Sequence, residues 1–150
     1  MNIEHCVSFE LAKQLKKAEY PQETEFYWCD KFPLVSSAPI IIDKITREKR
    51  KTGNGGGAIY FEQLAVDALM NNIYPAPLAT EVLEELPRFI GNSNYELTIV
   101  HKSYGNYCVS FYDDGTESSY SEEQFDRSLP DALARMWLYL KKEELLKEAK

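Results

Sequence analysis

Apolar residues recur at helical spacing in three parts of the chain, and the first two parts end at prolines. The first predicted helix covers residues 8–19, and Ser8 is a residue type that caps helix N-termini. Pro21 predicts its end, because a proline moves the preceding residue out of the helical conformation. The second predicted helix covers residues 78–86 and ends at Pro87 for the same reason.

The third predicted helix has the clearest start signal. Ser128 is its predicted N-cap, and Pro130 lies in the first turn, where a missing backbone N–H costs nothing. The helix is expected to run to about Lys147. Asp131 and Arg135 are one turn apart and are predicted to form an ion pair.

One face of this third helix is expected to pack against a sheet. That face carries Leu129, Leu133, Met136, Trp137 and Leu140. Residues 136–140 are apolar on every side, so the N-terminal helix or a second subunit should cover the remaining surface. Homodimerisation through this helix is therefore one prediction from the sequence.

Alternation of apolar and polar residues predicts a β-hairpin ahead of that helix. On its first strand, Tyr95, Leu97 and Ile99 point one way and Glu96 and Thr98 point the other. The turn 103–106 follows, and then a second strand with apolar residues at alternate positions from 107 to 111. Asp114-Gly115 is a second turn signal, after which residues 117–121 predict a polar strand at a sheet edge.

The N-terminal half gives weaker signals. Residues 25–29 and 39–45 predict strands, and the three consecutive isoleucines of the latter suit a strand that is buried on both faces. Residues 47–57 combine basic side chains with four glycines and predict a flexible loop. Residues 58–70 predict a strand of about four residues followed by a short helix. The topology of residues 30–75 stays open at this point.

Together these elements predict an α+β fold with an antiparallel sheet packed against helices. The C-terminal half has the order helix, strand, strand, strand, helix, and the 150 residues suit a single layered domain over 1–150. The longest apolar runs fall far short of the roughly 18 residues of a membrane span, and the first residues have no signal-peptide pattern. The expected compartment is the cytoplasm.

The charge pattern disfavours a nucleic-acid partner. The net charge is -7, whereas phosphate binding draws most of its affinity from Lys and Arg. Residues 113–126 hold six acids and no base, and residues 44–51 hold five bases and one acid. The order of elements in the C-terminal half is also that of a double-stranded-RNA-binding domain. However, Asp126 and Asp131 lie where such a domain places its basic helix start.

No group of residues predicts catalysis, a cofactor or a metal site. Lys51 precedes the glycines 53–57, whereas a phosphate-binding P-loop needs its lysine after the last glycine. The acids around Asp113 fit a hairpin turn better than a calcium loop. His5 and His101 have no partner at a known catalytic spacing. The catalytic, cofactor and metal residues are therefore predicted to be none.

The three cysteines are predicted to be buried free thiols. Cys6, Cys29 and Cys108 are odd in number, far apart and next to apolar or aromatic residues. A zinc site would need closely paired ligands, which this spacing does not give.

Several segments resemble a group of small uncharacterised proteins encoded by phages and prophages of gut bacteria. The similar segments are 1–16, 21–22, 26–28, 76–77, 81–87 and 128–140, together with the segments between the last two. The resemblance implies a compact α/β sandwich-like domain with no assigned activity. It brings no catalytic residue to this chain.

The first hypothesis is thus a non-enzymatic, cytoplasmic accessory protein that binds another protein. The alternative is an acidic inhibitor that mimics nucleic acid and occupies a basic groove, which requires the acids of 81–85 and 113–126 to share a face. An enzyme would instead require a concave pocket around His101.

Overall fold

Helices and antiparallel strands form two compact units in a computed structural model of the chain. The structure describes residues 5–21, 24–29, 40–43, 73–91, 94–113, 115–119 and 122–146. One unit is Ser8–Pro77, and the other joins Met1–Val7 to Leu78–Lys150. Each unit is described by itself, and the single domain over 1–150 stays a prediction.

The unit Ser8–Pro77 contains a three-stranded antiparallel sheet. Its strands are β1 (Phe26–Cys29), β2 (Ile40–Asp43) and β3 (Ile73–Pro75), in the order β2-β1-β3. The first two confirm predicted strands. β3 was not predicted, because Pro75 cannot donate to a ladder and signals a turn. Its place at the edge, paired with β1 alone among the described strands, is one that tolerates a proline.

Helix α1 (Phe9–Lys17) packs against β3 and confirms the first predicted helix. Its buried side, with Leu11 and Leu15, follows the predicted spacing. Aromatic contacts fix its start, since the Phe9 ring meets Trp28 and Tyr74 edge-on at centroid distances of 5.8 and 5.6 Å. The burial of this apolar side holds α1 on the sheet.

The second unit contains a five-stranded antiparallel sheet with two helices. In chain order its elements are α2 (Ala79–Glu85), β4 (Phe89–Ile90), β5 (Tyr95–His101), β6 (Tyr107–Asp113), β7 (Ser118–Ser119), β8 (Gln124–Asp126) and α3 (Leu129–Lys142). The strand order is β4-β5-β6-β7, and β8 also pairs with β6. The α+β class, the hairpin and the two flanking helices are confirmed. The short strands β4 and β8 were not predicted.

Helix α3 defines an inner and an outer face of this sheet. It packs against β6 and β8, and Arg135 on the helix pairs with Asp126 on β8 at 3.0 Å. The inner face therefore holds Asp126 and, on β6, the fully buried Val109 and Phe111. The outer face holds the alternate residues, including Cys108 on β6.

The start of α3 follows the prediction, but its end and its ion pair do not. The Ser128 hydroxyl accepts a hydrogen bond from the Asp131 backbone N–H at 3.5 Å. The ion pair of Arg135 is with Asp126 and not with Asp131. The helix ends at Lys142 and not near Lys147. The predicted apolar face is confirmed by the burial of Leu133, Met136, Trp137 and Leu140.

Two glutamates end α1 and α3 in the left-handed conformation. Glu19 has a φ of 63° and Glu144 a φ of 59°. In each case the backbone N–H of the following residue donates a hydrogen bond to a carbonyl of the helix. Tyr20 donates to Leu15 and Leu145 donates to Leu140, both at 2.9 Å. This is the Schellman ending, a place where glycine is usual. The left-handed residue thus ends α1 before Pro21 is reached.

Some predictions lie outside the described residues. These are the flexible loop at 47–57, the strand and helix at 58–70, and the burial of the isoleucine-rich strand, whose backbone alone is described as β2. Of the helices within the described ranges, none has the length and apolar character needed to cross a membrane.

We expect Glu144→Gly to stabilise the protein by about 1 kcal/mol, because a left-handed conformation costs a non-glycine residue about that much. Glu19→Gly is expected to act in the same direction. Urea denaturation would measure both free energies of unfolding.

The matched control is Glu143→Gly, since Glu143 has an ordinary φ of -85°. That change should be neutral or destabilising. Equal effects at 143 and 144 would contradict the assignment of the helix ending.

Candidate functional site

The second unit has a cleft of about 750 Å³ at the starts of its two helices. His5 and Tyr107 form part of its wall. Residues 78–80 contribute the start of α2, and residues 126–130 contribute the end of β8 and the start of α3. The cleft brings together segments that are far apart in sequence, so no local motif could have predicted it.

The polar groups at the start of α3 are already engaged with the chain itself. Asp126 accepts hydrogen bonds from the Ser128 backbone N–H and from Arg135 Nε, both at 3.0 Å. Because its carboxylate lies next to the helix start, it carries its negative charge where the helix dipole favours one.

The start of α2 is satisfied in the same manner. The Leu78 backbone N–H donates to Glu81 Oε1 at 3.2 Å, so that a side chain from the first turn caps the helix. Both helix starts at the cleft are thus closed by carboxylates of the chain.

The two histidines lie in different surroundings. His5 is exposed in the wall of the cleft, whereas His101 lies at the end of β5 and stacks on Tyr107 with a centroid distance of 4.3 Å and an interplanar angle of 7°. The enzyme hypothesis requires a concave pocket around His101. The structure places His5, and not His101, in the cleft wall.

Cys6 and Cys108 are buried thiols that form no disulfide, as predicted. Burial raises the pKa of Cys6 to about 11, and the carboxylates of Asp131 and Glu81 act in the same direction. The pKa of Cys108 is also raised, first by burial and then by Glu123, whose Oε2 lies 3.7 Å from Sγ. Such thiols are poor nucleophiles, because the thiolate is the reactive form. The side chain of Cys29 is not among those described.

The acids around Asp113 form a turn, as the sequence indicated. Asp113 Oδ1 accepts from the Gly115 backbone N–H at 2.9 Å, and Oδ2 accepts from the Thr116 hydroxyl at 3.1 Å. Within the described ranges, no three His, Cys, Asp or Glu side chains are grouped so that they could hold a metal ion.

A second surface feature is an apolar row on the outer face of the sheet, in which Val100 and Phe125 lie on either side of Cys108. Val100 and Phe125 lie opposite Cys108 on its two neighbouring strands, and they are 42% and 44% exposed, whereas Cys108 itself is buried. We call these three residues the outer patch. Phe89 is also exposed on this face, but it lies opposite Glu96, four residues along β5 from Val100, and does not belong to the patch. The sequence missed the patch because Phe125 belongs to an unpredicted strand.

Comparison with known proteins gives no match to this chain among protein-family models, curated proteins or solved structures.

We expect Cys6 to resist alkylation in the folded protein. At pH 9 an ordinary thiol with a pKa of 9.0 is half ionised, whereas a pKa of about 11 leaves about one thiol in a hundred ionised. Peptide-resolved mass spectrometry after iodoacetamide treatment would compare Cys6 in the folded and the urea-unfolded protein.

The same raised pKa gives a pH dependence of stability. The unfolded chain loses the Cys6 proton first, so the stabilisation is complete below about pH 9 and is lost as the pH rises through about 11. The variant Cys6→Ala is the control, since it lacks this titration.

For the alkylation experiment, reaction of Cys6 in the folded protein as fast as in urea would contradict the burial of this thiol.

Proposed function

We propose that this chain is an accessory protein of the phage and prophage type, which works in the cytoplasm by binding another protein without catalysing a reaction. The observation that carries the proposal is the outer patch, where Val100 and Phe125 are each more than two-fifths exposed on one sheet face. Exposed apolar clusters of this kind mark interaction surfaces.

The position of the outer patch supports its use as a contact surface. Cys108 at its centre is on β6, which pairs with β5 along its length and with β7 and β8 on the other side. Side chains on such a paired strand are held in place before a partner arrives, so little conformational entropy is lost on binding. Aromatic residues such as the exposed Phe125 are also enriched at the centres of protein interfaces.

The surroundings of the outer patch indicate the chemistry of the partner. Glu123 lies next to it, and Lys102 acts on Cys108 with the opposite charge, so both signs of charge occur at its rim. The whole chain carries a charge of -7. A partner with an apolar contact area and a net positive charge would match both the patch and the charge of the chain. The opposite net charges would also speed association through electrostatic steering.

The carboxylate of Asp126 in the cleft wall takes part in the fold, since it accepts hydrogen bonds from the Ser128 backbone N–H and from Arg135 Nε. A catalytic acid or base needs to be available to a substrate. The engagement of Asp126 therefore favours a binding role over catalysis by this carboxylate.

The alternative function is inhibition of a nucleic-acid enzyme by mimicry of nucleic acid. It needs the acids of 81–85 and 113–126 to act as one array of charges. Glu81, Asp113 and Asp126 are bonded to nearby backbone N–H groups, which removes them from a regular array. The outer patch therefore supports protein binding through apolar contact better than mimicry.

The proposal predicts that Phe125→Lys reduces capture of a host protein from lysate. A charge in the centre of an apolar contact must be desolvated, and we expect the Kd of the purified partner to rise about tenfold or more. Calorimetric titration of the partner with each variant would measure the change.

The matched control is Gln14→Lys, which adds the same charge at an exposed position of α1. It should leave the Kd unchanged. Undiminished binding by Phe125→Lys, or recovery of no protein partner, would contradict the proposal. Salt-sensitive capture of a nucleic-acid enzyme that tolerates Phe125→Lys would favour mimicry.

A further inference from the structure

The β5 strand has an open edge on the side away from β6. β4 covers this edge only at its beginning, where Phe89 lies opposite Glu96 and the Leu97 backbone N–H donates to the Arg88 carbonyl at 2.8 Å. Beyond Leu97, no strand within the described ranges pairs with this side of β5. Residues 98–101 therefore present an unpaired edge.

The hydrogen-bonding direction of each residue on this edge follows from the strand geometry. Successive residues of a strand direct their backbone groups to opposite sides. Leu97 bonds toward β4. Lys102 bonds toward β6, since its backbone N–H donates to the Asn106 carbonyl at 2.7 Å. Thr98 and Val100 thus bond to β6. Ile99 and His101 direct both N–H and C=O to the open edge.

The open edge lacks the devices that normally prevent strand pairing. Proteins protect such edges with prolines, charged side chains or bulges, whereas residues 98–101 read Thr-Ile-Val-His. Ile99 is 38% exposed on the inner face and Val100 is exposed on the outer face. An exposed apolar edge is a template for another strand.

We infer that the open edge of β5 binds the same edge of a second copy of this chain, in an antiparallel pair with Val100 opposite the partner's Val100. The two five-stranded sheets would then form one continuous sheet across a two-fold axis. This homodimer goes beyond the proposed function, since it shares Val100 with the outer patch but leaves Phe125 outside the interface. It uses a different surface from the predicted dimer through α3.

The edge is complementary to itself in hydrogen bonding. In this register Ile99 lies opposite the partner's His101, and both residues direct their backbone groups across the interface. Two-fold symmetry repeats this pair, so four backbone groups on each chain are satisfied. Val100 and the partner's Val100 form the intervening non-hydrogen-bonded pair, in which side chains approach most closely.

The side chains are complementary as well. On the outer face Lys102 lies opposite the partner's Thr98 and diagonal to the partner's Glu96. Within its own chain Glu96 lies 3.4 Å from Arg88. Its carboxylate can take a second cation, and the diagonal distance to Lys102 is one that long side chains can span. Symmetry repeats this contact. The row of Phe125, Cys108 and Val100 continues into the same row of the partner, so apolar side chains meet apolar side chains at the axis.

A strand from a different protein could bond to the same backbone groups, but it would not explain why the edge is matched to itself in charge and apolar character. Analytical ultracentrifugation of the purified full chain at several concentrations tests whether a second copy of the chain, rather than a different protein, pairs with this edge. We expect a reversible monomer–dimer equilibrium. A monomer at every concentration would overturn the inference.

The decisive variant is Val100→Lys, which places two like charges opposite each other at the two-fold axis. We expect its dimer Kd to rise about tenfold or more. An equal mixture of Val100→Lys and Val100→Glu variants should restore the dimer, because opposite charges then meet. Such recovery also shows that both variants are folded.

Phe125→Lys is the control, since it adds the same charge to the outer face two strands away from the axis. It should leave the dimer intact while weakening a heterologous partner, so failure of the dimer and failure of the proposed function give different results. A dimer that tolerates Val100→Lys, or one that the mixture does not restore, would overturn the proposed register.

Discussion

The second unit depends on the central strand β6, which must be paired on both sides and covered on its inner face. Val109 and Phe111 are fully buried there, and α3 packs against β6 and β8. Burial of these side chains removes apolar surface from water, and the flanking strands satisfy the backbone groups that burial would otherwise leave unpaired. Asp126 connects the sheet to α3. It lies on β8, and its carboxylate accepts hydrogen bonds from the Ser128 backbone N–H at the helix start and from Arg135 Nε on the helix.

Helix α3 covers the inner face of the sheet. On the outer face Cys108 and Ser110 of β6 are buried, while Val100 and Phe125 on the neighbouring strands stay exposed. The edge of β5 beyond Leu97 stays open to the described strands because β4 has only two residues. At the cleft, Asp126 is hydrogen-bonded to the start of α3, and the neighbouring Glu81 caps α2.

The sequence predicts those elements whose signals are local. α3 has a serine cap and a proline in the first turn, and the hairpin has alternating residues around a turn, so both were found. β4 and β8 have two and three residues, too few to show a period. Glu144 ends α3 without the glycine that would reveal it, and the pairing of Arg135 with Asp126 depends on tertiary contact. The outer patch was missed together with those short strands.

Residue-resolved amide hydrogen exchange along β5 tests the account most directly. In dilute protein we expect slow exchange at Thr98 and Val100, which bond to β6, and fast exchange at Ile99 and His101, which face the open edge. At high concentration Ile99 and His101 should become protected as β5 pairs with its copy. Equal protection of all four amides at every concentration would contradict the open edge and the association built on it.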